Sequence, residues 1–464
     1  MRAFAADIGG SVGKKAKLLG WVGARRDHGK LIFIDLRDRS GLAQCVFNAK
    51  EKILFSQAEK LRPEWIIEVI GEISQRPKNL INSDLGSGRW EVMVKKLTVL
   101  SEAKTPPIAL DTDGYEIGEE SRLRYRYLDL RRPRLQQNLK LRHSAIKFIR
   151  DYLDERNFVE VETPILSKST PEGARDYLVP SRLYHGQFFA LPQSPQQYKQ
   201  LLMIAGLEKY YQIARCFRDE DTRGDRQPEF TQLDLEMSFI DREEVMNLIE
   251  DLYVKLVSQF FPAKIISRRP FPRLTYSQAI KKYKSDKPDL RKNKNDKNEL
   301  AFVWIDDFPF FRKDKDGNWT FTHNPFSAPV EEHVGWLSAK KNIGKITADQ
   351  YDLVLNGQEI GGGSIRAHQP EVLRRTFQII GLSDKKIDEE FGYMIEALAS
   401  GAPPHGGIAM GLDRFLAILL NEPNIREVIA FPKTGDGRDL LMEAPNSVSK
   451  EQLKELGLEK VNES

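Results

Sequence analysis

The chain has 464 residues, of which 40% are hydrophobic and 30% are charged, and it contains only two cysteines. This length exceeds one ordinary core and predicts two or three domains, and the composition excludes a disordered or membrane-embedded protein. Cys45 and Cys216 are too few for a disulfide framework or a Cys-rich zinc cluster, and they suit a reducing compartment. The first residues also lack the apolar stretch of a secretory signal, so we expect a cytoplasmic protein with no membrane partner.

The net charge of +4 is unevenly distributed. Residues 1–104 hold 19 Lys and Arg against 12 Asp and Glu, a net of +7, whereas the rest of the chain holds 52 against 55, a net of −3. Such an excess in the first quarter is a weak indication of a module that binds a polyanion. A solvated basic face explains the charge equally well.

The first hundred residues predict a small β-barrel. Strand-like runs lie at residues 17–25, 31–37, 42–48, 66–74 and 90–101. A helical stretch at 53–61 follows the third run. Five strands with a helix after the third is the order of an OB barrel, whose open face binds oligonucleotides, although the pattern alone leaves other small barrels open.

The remaining chain predicts an α+β domain. Thr-Pro-Pro at 105–107 closes the barrel, and we expect a linker or hinge over 105–134. A long amphipathic helix is predicted at 135–156, at the start of a domain that extends to residue 445. Within it, the Lys- and Asn-rich residues 281–299 predict an exposed loop or a truncated insertion, and residues 446–464 form a C-terminal extension.

Residues 216–239 (CFRDEDTRGDRQPEFTQLDLEMSF) predict a hairpin with one polar face. Alternation in its second strand places one set of side chains on that face: Phe230, Gln232, Asp234, Glu236 and Ser238. A polar sheet face beside the cationic Arg218 suits a site for a charged ligand, whereas the competing interpretation is a solvent-facing sheet.

Two glycine-rich segments are also difficult to explain by packing alone. In residues 356–368 (NGQEIGGGSIRAH), three glycines would weaken a strand unless another group approaches the backbone closely. In residues 406–420 (GGIAMGLDRFLAILL), small residues lead into an apolar helix and place Arg414 near its N-terminus, a natural phosphate site. Neither a Walker A nor a Rossmann glycine loop is present in the sequence.

Together these segments resemble the class II aminoacyl-tRNA synthetases. FRDE with its hairpin is similar to motif 2, GLDR entering a helix to motif 3, and residues 158–166 (FVEVETPIL) to motif 1, whose Pro164 lies at the dimer interface in that family. A barrel before such a core is typical of the Asp, Asn and Lys subclass. Further strings resemble the bacterial aspartyl-tRNA synthetases over nearly the whole chain: RYRYLDLRRP, TPEGARDYLVPSR, QSPQ, SDKPDLR, GGGSIRAH and AFPK.

The resemblance implies a role for each matching residue. Arg218 and Arg414 would be catalytic. The aspartate-binding positions would be Glu172, Gln193, Gln196, Lys199, Arg218, Asp234, His323 and Arg366. The ATP-binding positions would be Arg218, Asp219, Glu220, Gln227, Glu359, Gly411, Leu412, Asp413 and Arg414. Mg²⁺ would be bound by Asp352 and Glu359, seven residues apart on the strand before the glycines, as Mg²⁺ prefers carboxylates beside substrate phosphates.

In the barrel, the resemblance implies anticodon-binding positions: Arg26, Phe33, Gln44, Arg76, Asn82 and Glu91. Alternation places Phe33 on the face opposite Ile32 and Ile34, which favours an exposed stacking platform over a core position. His28 is typical of relaxed relatives that also charge tRNA-Asn, whereas Asn79, at the companion position, fits neither type. The loop at His323 carries Asn324 where relatives more often have a second histidine.

The implied activity is ATP-dependent aspartylation of tRNA-Asp by a homodimer, through an aspartyl-adenylate, with tRNA-Asn as a second candidate. Bacterial relatives insert an extra domain after the SDKPDLR string, and here the core resumes about ten residues later, so we predict that this domain is missing. Three alternatives are an asparaginyl- or lysyl-tRNA synthetase, a non-catalytic RNA-binding paralogue and a tRNA-independent amino-acid ligase. Lys199 with Arg366 argues against the first, the intact motifs against the second, and Phe33 with Gln44 against the third.

Overall fold

The computed structural model describes residues 2–10, 12–83, 85–169, 173–220 and 226–459. The chain divides into two compact units, residues 1–132 and 133–464. Residues 105–132, which we predicted as a linker, group with the first unit. Within the described ranges, no helix combines the length and the apolar character that crossing a bilayer requires.

The first unit contains β1 (Lys15–Asp27), β2 (Leu31–Asp38), β3 (Gly41–Asn48), α1 (Lys52–Glu59), β4 (Ile66–Gln75), β5 (Trp90–Ser101), α2 (Glu119–Arg124) and α3 (Arg126–Asp129). The strands close into a barrel in the order β1-β2-β3-β5-β4. Alternate side chains fill its interior, as in β2, where Ile32, Ile34 and Leu36 are buried. The predicted OB barrel, with its helix after the third strand, is confirmed.

A buried carboxylate organises the segment after the barrel. Asp129 is fully buried and accepts hydrogen bonds from Arg122, Arg126 and Arg132, the last two at 2.7 and 2.6 Å. Arg132 also donates to the carbonyl oxygens of Thr112 and Ala109. Because buried charges are stable only when they are paired, this network explains why the predicted linker is folded.

The second unit begins with α4 (Pro133–Asp154), β6 (Val159–Glu160), β7 (Leu178–Pro180), β8 (Phe188–Ala190), α5 (Gln196–Ile204), β9 (Lys209–Phe217), β10 (Glu229–Ser238), α6 (Arg242–Phe260), β11 (Ile265–Ile266), β12 (Arg273–Thr275) and α7 (Tyr276–Tyr283). It continues with β13 (Glu299–Leu300), β14 (Phe302–Asp306), β15 (Phe311–Lys313), β16 (Trp319–Phe321), α8 (Val334–Ser338), β17 (Gln350–Leu355), β18 (Gln358–Ile365), α9 (Pro370–Ile379), α10 (Asp384–Ala399), β19 (His405–Gly411), α11 (Leu412–Leu419) and α12 (Lys450–Glu455).

An eight-stranded sheet dominates this unit, in the order β12-β14-β17-β18-β19-β10-β9-β6. Its neighbours are antiparallel except for the β12–β14 and β6–β9 pairs. The apolar side chains of α4, α6 and α11 pack with one face of the sheet into the main hydrophobic core. The predicted α+β architecture, an antiparallel sheet flanked by helices, is confirmed.

Close approach of neighbouring strands explains the three glycines of β18. A Cβ at position 363 would lie 2.3 Å from the carbonyl oxygen of Gly407, and one at position 361 would lie 2.1 Å from the sulfur of Met410. The close backbone approach that we predicted is therefore present, and residues 361–363 lie inside a strand.

The Lys- and Asn-rich segment is only partly an exposed loop. Residues 281–283 end α7, Pro288 is buried, and residues 285–287 and 289–291 are half-buried, whereas residues 292–295 and 297–298 are exposed. Asp289 packs against Gly357 in the turn between β17 and β18, which ties the SDKPDLR string to the large sheet. The prediction of an exposed loop over 281–299 is therefore wrong for its first half.

Candidate active site

A cavity of about 540 Å³ opens over one face of the large sheet in the second unit. It lies between β10, the β17–β18 pair and the start of α11. The predicted site residues that line it are Gln193, Gln196, Lys199, Arg218, Glu220, Gln227, His323, Asp352, Glu359, Arg366, Gly411, Asp413 and Arg414. The structure therefore brings together side chains from motifs that are far apart in the sequence.

Two cations and two carboxylates form the floor of this cavity. Lys199 on α5 donates to Asp234 Oδ2 at 2.9 Å and lies 3.2 Å from Glu236 Oε2. Arg366 donates from Nε and Nη2 to the two oxygens of Glu236 at 2.8 and 3.1 Å, and from Nη1 to Ser364 Oγ at 2.7 Å. All four charged side chains are at most 4% exposed. The polar face of β10 is therefore the floor of a binding site, and the solvent-facing interpretation is wrong.

Burial affects the two carboxylates differently. It raises the pKa of Asp234 to about 6, because Lys199 compensates only part of the desolvation. Burial acts in the same direction on Glu236, but Arg366 and Lys199 outweigh it and lower the pKa of Glu236 to about 2. Glu236 is therefore ionised at neutral pH and orients Arg366.

The floor retains hydrogen-bonding capacity for a ligand. The guanidinium of Arg366 has five N–H donors, of which three bond to described residues, so two remain within the described part of the chain. Asp234 Oδ1 is buried and accepts no hydrogen bond from the residues that the structure describes. A ligand carboxylate would accept hydrogen bonds from the two remaining Arg366 donors, and a ligand ammonium group would donate to Asp234 Oδ1.

Arg218 lies above this floor, directly after β9. Its guanidinium carbon is 5.1 Å from the centre of the Phe230 ring, a cation–π geometry that holds the side chain over the cavity. Its Nε is buried without a hydrogen-bond partner in the described part of the chain. Arg218 therefore presents unused donors to an anionic group in the cavity.

The start of α11 supplies the second arginine. Arg414, in the first turn, donates from Nη1 to the carbonyl oxygen of Glu359, and its side chain borders the cavity. The neighbouring Asp413 accepts hydrogen bonds from Arg142 and from the backbone N–H of Thr231. Asp413 thus joins α11 to α4 and β10, while the helix N-terminus faces the cavity, where it favours phosphate.

Asp352 and Glu359 lie on two strands, and the prediction of a single strand is wrong. Asn356 and Gly357, with φ of 51° and 82°, form the tight turn between β17 and β18. A Cβ at Gly362 would lie 2.8 Å from Asp352 Oδ1 and 3.9 Å from Glu359 Oε1. The two carboxylates therefore converge over a residue that has no side chain to fill the space between them.

The pKa values of these two carboxylates are shifted in opposite directions. Burial and the charge of Glu359 hold the pKa of Asp352 well above its usual value. Burial would also raise the pKa of Glu359, but Lys287, whose Nζ lies 2.7 Å from Glu359 Oε2, outweighs it and lowers that pKa. A cation beside both carboxylates would relieve their repulsion.

Two loops also border the cavity. Gln193 accepts from the backbone N–H of Ala174 and donates to its carbonyl oxygen, which holds the loop before β7 in place. His323 packs edge-to-face on Phe308 at 5.0 Å, and desolvation lowers its pKa although the side chain borders open space. Glu172, predicted to bind the ligand, lies outside the described residues.

Three predicted ligand positions fit a supporting role better than direct contact. The Leu412 side chain belongs to the hydrophobic core, so the predicted ATP contact could come only from its backbone. Asp219 does not line the cavity. The Gln227 carboxamide already bonds the backbone of Lys433: its Nε2 donates to the carbonyl oxygen at 3.0 Å and its Oε1 accepts from the N–H at 2.7 Å.

The sequence missed three residues that line the cavity, Phe230, Lys287 and Ser364, and it missed Glu236, which pairs with the lining residue Arg366. Alternation along β10 had placed Phe230 and Glu236 on the correct face, so that pattern could have found both. Ser364 lies near the end of β18, two residues before Arg366, which directly follows this strand and donates to Ser364 Oγ. Nothing in the local pattern around Lys287 indicates its contact with Glu359.

In the first unit, four of the predicted anticodon residues lie side by side on neighbouring strands of the barrel: Arg26, Phe33, Gln44 and Glu91. Arg26 pairs across the strands with Phe33, and Gln44 pairs with Glu91 and donates to it at 2.9 Å. Asp35, which the sequence did not single out, lies opposite Gln44 and binds Arg26 through two hydrogen bonds of 2.6 and 2.7 Å. An aromatic ring beside fixed polar groups suits the binding of single-stranded bases.

The other predicted positions differ in exposure. Arg76 is buried and donates from Nε to the carbonyl oxygen of Trp90. Asn82 is exposed and follows the short 3₁₀ helix that contains the exposed Asn79. His28 is exposed in the β1–β2 turn, with its ring edge-to-face on Phe33 at 5.4 Å. In the second unit, Pro164 is exposed.

Comparison with known families agrees with this geometry. Residues 118–435 match the model for class II tRNA synthetases (D, K and N), and residues 16–100 match the OB-fold nucleic acid binding domain. The chain therefore belongs to the class II aminoacyl-tRNA synthetases of the D, K and N group, and it is an aminoacyl-tRNA ligase that uses ATP as a substrate.

Curated relatives match along the whole chain. Proteins named aspartate–tRNA(Asp/Asn) ligase are 42% identical in Rubrobacter xylanophilus, over 96% of this chain and 94% of the relative, and 40% identical in Dehalococcoides mccartyi, over 96% of both. The first match spans 570 positions, which exceeds the 464 residues of this chain by 106. The relative thus has a substantial segment with no counterpart here, and its location after the SDKPDLR string stays a prediction.

Solved structures show the same fold. An asparaginyl-tRNA synthetase from Pyrococcus horikoshii, complexed with asparaginyl-adenylate, has a TM-score of 0.75 at 23% identity, covering 94% of this chain and 98% of that one. An aspartyl-tRNA synthetase from Entamoeba histolytica has a TM-score of 0.73 at 23% identity, covering 93% and 91%.

Proposed function

We propose that the protein attaches L-aspartate to tRNA-Asp through an aspartyl-adenylate. The observation that carries this proposal is the floor of the cavity, where Lys199 and Arg366 converge and Arg366 keeps two donors for a ligand. A carboxylate side chain fits these donors, whereas an asparagine amide would face two cations without a negative charge. The names of the curated relatives support the same substrate.

In the first step, an oxygen of the aspartate α-carboxylate attacks the α-phosphorus of ATP in line, and the bond to pyrophosphate breaks. Arg218 would hold the α-carboxylate and the α-phosphate together, and Asp234 Oδ1 would accept from the α-ammonium group. Arg414, at the start of α11, would bind the terminal phosphate. Positioning and charge neutralisation are then sufficient, and no protein nucleophile is needed.

In the second step, a hydroxyl of the 3′-terminal ribose of tRNA attacks the acyl carbon, and AMP leaves with the electron pair of the broken bond. The row of barrel residues around Phe33, which supplies the aromatic platform, would bind the anticodon. The basic excess of residues 1–104 favours this contact with a polyanion.

Mg²⁺ fits the pair formed by Asp352 and Glu359. Their oxygens converge over Gly362, and the raised pKa of Asp352 reflects a carboxylate without a counter-ion. The described residues contain no cluster of three or more His, Cys, Asp or Glu side chains arranged to hold a metal, so substrate phosphates would complete the coordination. When bound, the ion would neutralise charge on the phosphates.

The pH dependence of aspartate binding follows from Asp234. We expect the KM for aspartate to rise by up to about tenfold per pH unit as the pH falls below 6, because the ammonium group requires ionised Asp234, whose pKa is about 6. Glu236 stays ionised throughout. ATP–pyrophosphate exchange between about pH 5 and pH 8 measures this dependence. Asp234→Asn should raise the KM and flatten the profile, and a flat profile in the unmodified enzyme would contradict the assignment.

The choice of tRNA is tested with separate transcripts. We propose relaxed specificity, since His28 contacts Phe33 in the base-binding row and the curated relatives are named for both tRNAs. We expect aspartate to be attached to both tRNA-Asp and tRNA-Asn. A product on tRNA-Asp alone would reject relaxed specificity, and exchange supported by asparagine or lysine instead of aspartate would reject the proposed substrate.

We also propose a homodimer that acts in the cytoplasm. Large apolar side chains near Pro164 are exposed: Val159, Ile165, Leu166, Leu178, Phe188 and Phe189. Ser167 pairs with Ala190, so the strand after Pro164 lies beside the β7–β8 hairpin and extends this apolar surface. Both cysteines are free and buried, which suits a reducing compartment. Sedimentation at micromolar concentration should give a dimer, and Leu166→Asp with Leu178→Asp should give monomers.

A further inference from the structure

The clearest unassigned group in the cavity is the ammonium of Lys287. It comes from the SDKPDLR string, far from the three class II motifs in the sequence, and it lines the cavity. Its Nζ lies 2.7 Å from Glu359 Oε2, and the side chain is 38% exposed, so it remains accessible from the cavity. The resemblance to synthetases had given this residue no role.

The position of Lys287 is fixed by the fold. Pro288 is buried, and Asp289 packs against Gly357 in the β17–β18 turn, with a Cβ at position 357 only 3.2 Å from that of Asp289. Asp289 also binds Arg291 through its carboxylate, which fixes the local turn. The backbone around Lys287 is thus attached to the same strand pair that carries Asp352 and Glu359.

The surroundings explain why a cation is needed there. Asp352 and Glu359 converge over Gly362, and burial disfavours two adjacent negative charges. Arg414 donates to the backbone carbonyl of Glu359. Lys287 forms an ion pair with the carboxylate of Glu359, with its Nζ 2.7 Å from Oε2.

We propose that the Lys287 ammonium takes the place of the metal ion beside Glu359 in the nucleotide-free enzyme. When ATP binds with its metal ion, the ammonium moves to a phosphate oxygen of the nucleotide. This role rests on the proposed Mg²⁺ site. The flexible four-carbon stem of lysine permits the transfer, whereas a fixed bidentate contact would oppose it. The device keeps the carboxylate pair preorganised and prevents divalent ions from binding tightly before ATP.

The test measures metal binding without turnover. Mn²⁺ is titrated into nucleotide-free enzyme and followed by electron paramagnetic resonance. Lys287→Met should increase the Mn²⁺ affinity at least about tenfold. A positive charge this close to a carboxylate changes its proton affinity by about tenfold or more, and we expect an effect of the same size on its affinity for a metal ion. Lys287→Arg should stay near the unmodified enzyme. Lys292→Met, at an exposed lysine five residues on, is the matched control and should change nothing.

The second readout is the KM for ATP in ATP–pyrophosphate exchange. Lys287→Met should raise it about tenfold and leave the KM for aspartate unchanged, because Lys287 lies beside Glu359 and takes no part in the Lys199–Arg366 cluster. An unchanged Mn²⁺ affinity would show that Lys287 does not compete with the metal ion for Glu359. An unchanged KM for ATP would show that Lys287 does not move to a phosphate oxygen. An unmodified enzyme that binds no Mn²⁺ even with ATP overturns the metal site itself, whereas the amino-acid preference in exchange tests the proposed substrate separately.

Discussion

Replacing Arg366 by glutamine is expected to lower kcat/KM for aspartate in ATP–pyrophosphate exchange by about a thousandfold, since removing one partner of a buried, hydrogen-bonded charge pair costs about 2–5 kcal/mol of binding. The substitution removes the two donors that face the ligand. Among the described residues, it also leaves the fully buried Glu236 with Lys199 as its cationic partner, at 3.2 Å. The loss should appear with saturating ATP, because the change lies at the amino-acid end of the cavity.

A double variant separates recognition from stability. Arg366→Gln alone should lower the free energy of unfolding, because Glu236 loses a bidentate partner. Adding Glu236→Gln removes the stranded charge and should restore much of that stability while activity with aspartate stays low. If the double variant recovers exchange with aspartate, Arg366 contributes only to folding and its assignment as the carboxylate ligand is wrong.

The fold was largely predictable, because periodicity reports which faces are buried. In β2, the alternation of Leu31–Asp38 gave both the strand and the exposure of Phe33. The long helix was predicted at 135–156 and lies at Pro133–Asp154. The close approach at the three glycines was also predictable, since a strand interior tolerates them only where no Cβ fits.

The site was predictable only where a motif matched, because long-range contacts leave no local pattern. Glu236 has the same alternation as any strand residue, and its role arises from Arg366, 130 residues later. Lys287 belongs to a segment that composition describes as an exposed loop, yet it reaches Glu359. The spacing of Asp352 and Glu359 is compatible with a single strand. The Asn356–Gly357 dipeptide between them is a strong hairpin signal, and it is this turn that places them on two strands.

Arg218→Gln is expected to lower kcat for adenylate formation about 100- to 1000-fold, the usual effect of removing one preorganised donor to developing charge. The structure supports a direct effect on chemistry, because the cation–π contact with Phe230 positions the guanidinium while its Nε has no partner in the described ranges. The free energy of unfolding should change little, since no ion pair of Arg218 with a described residue is lost.

Arg215 provides the matched control, because it lies on β9 three residues before Arg218 and forms a half-exposed ion pair with Glu229. Arg215→Gln removes the same charge from the same hairpin, and exposed pairs contribute less than about 1 kcal/mol, so exchange should stay near that of the unmodified enzyme. Single-turnover formation of the adenylate distinguishes the two positions, since it excludes product release. Equal losses in both variants would mean that the hairpin needs its net positive charge, and that Arg218 has no specific contact with the reacting phosphate.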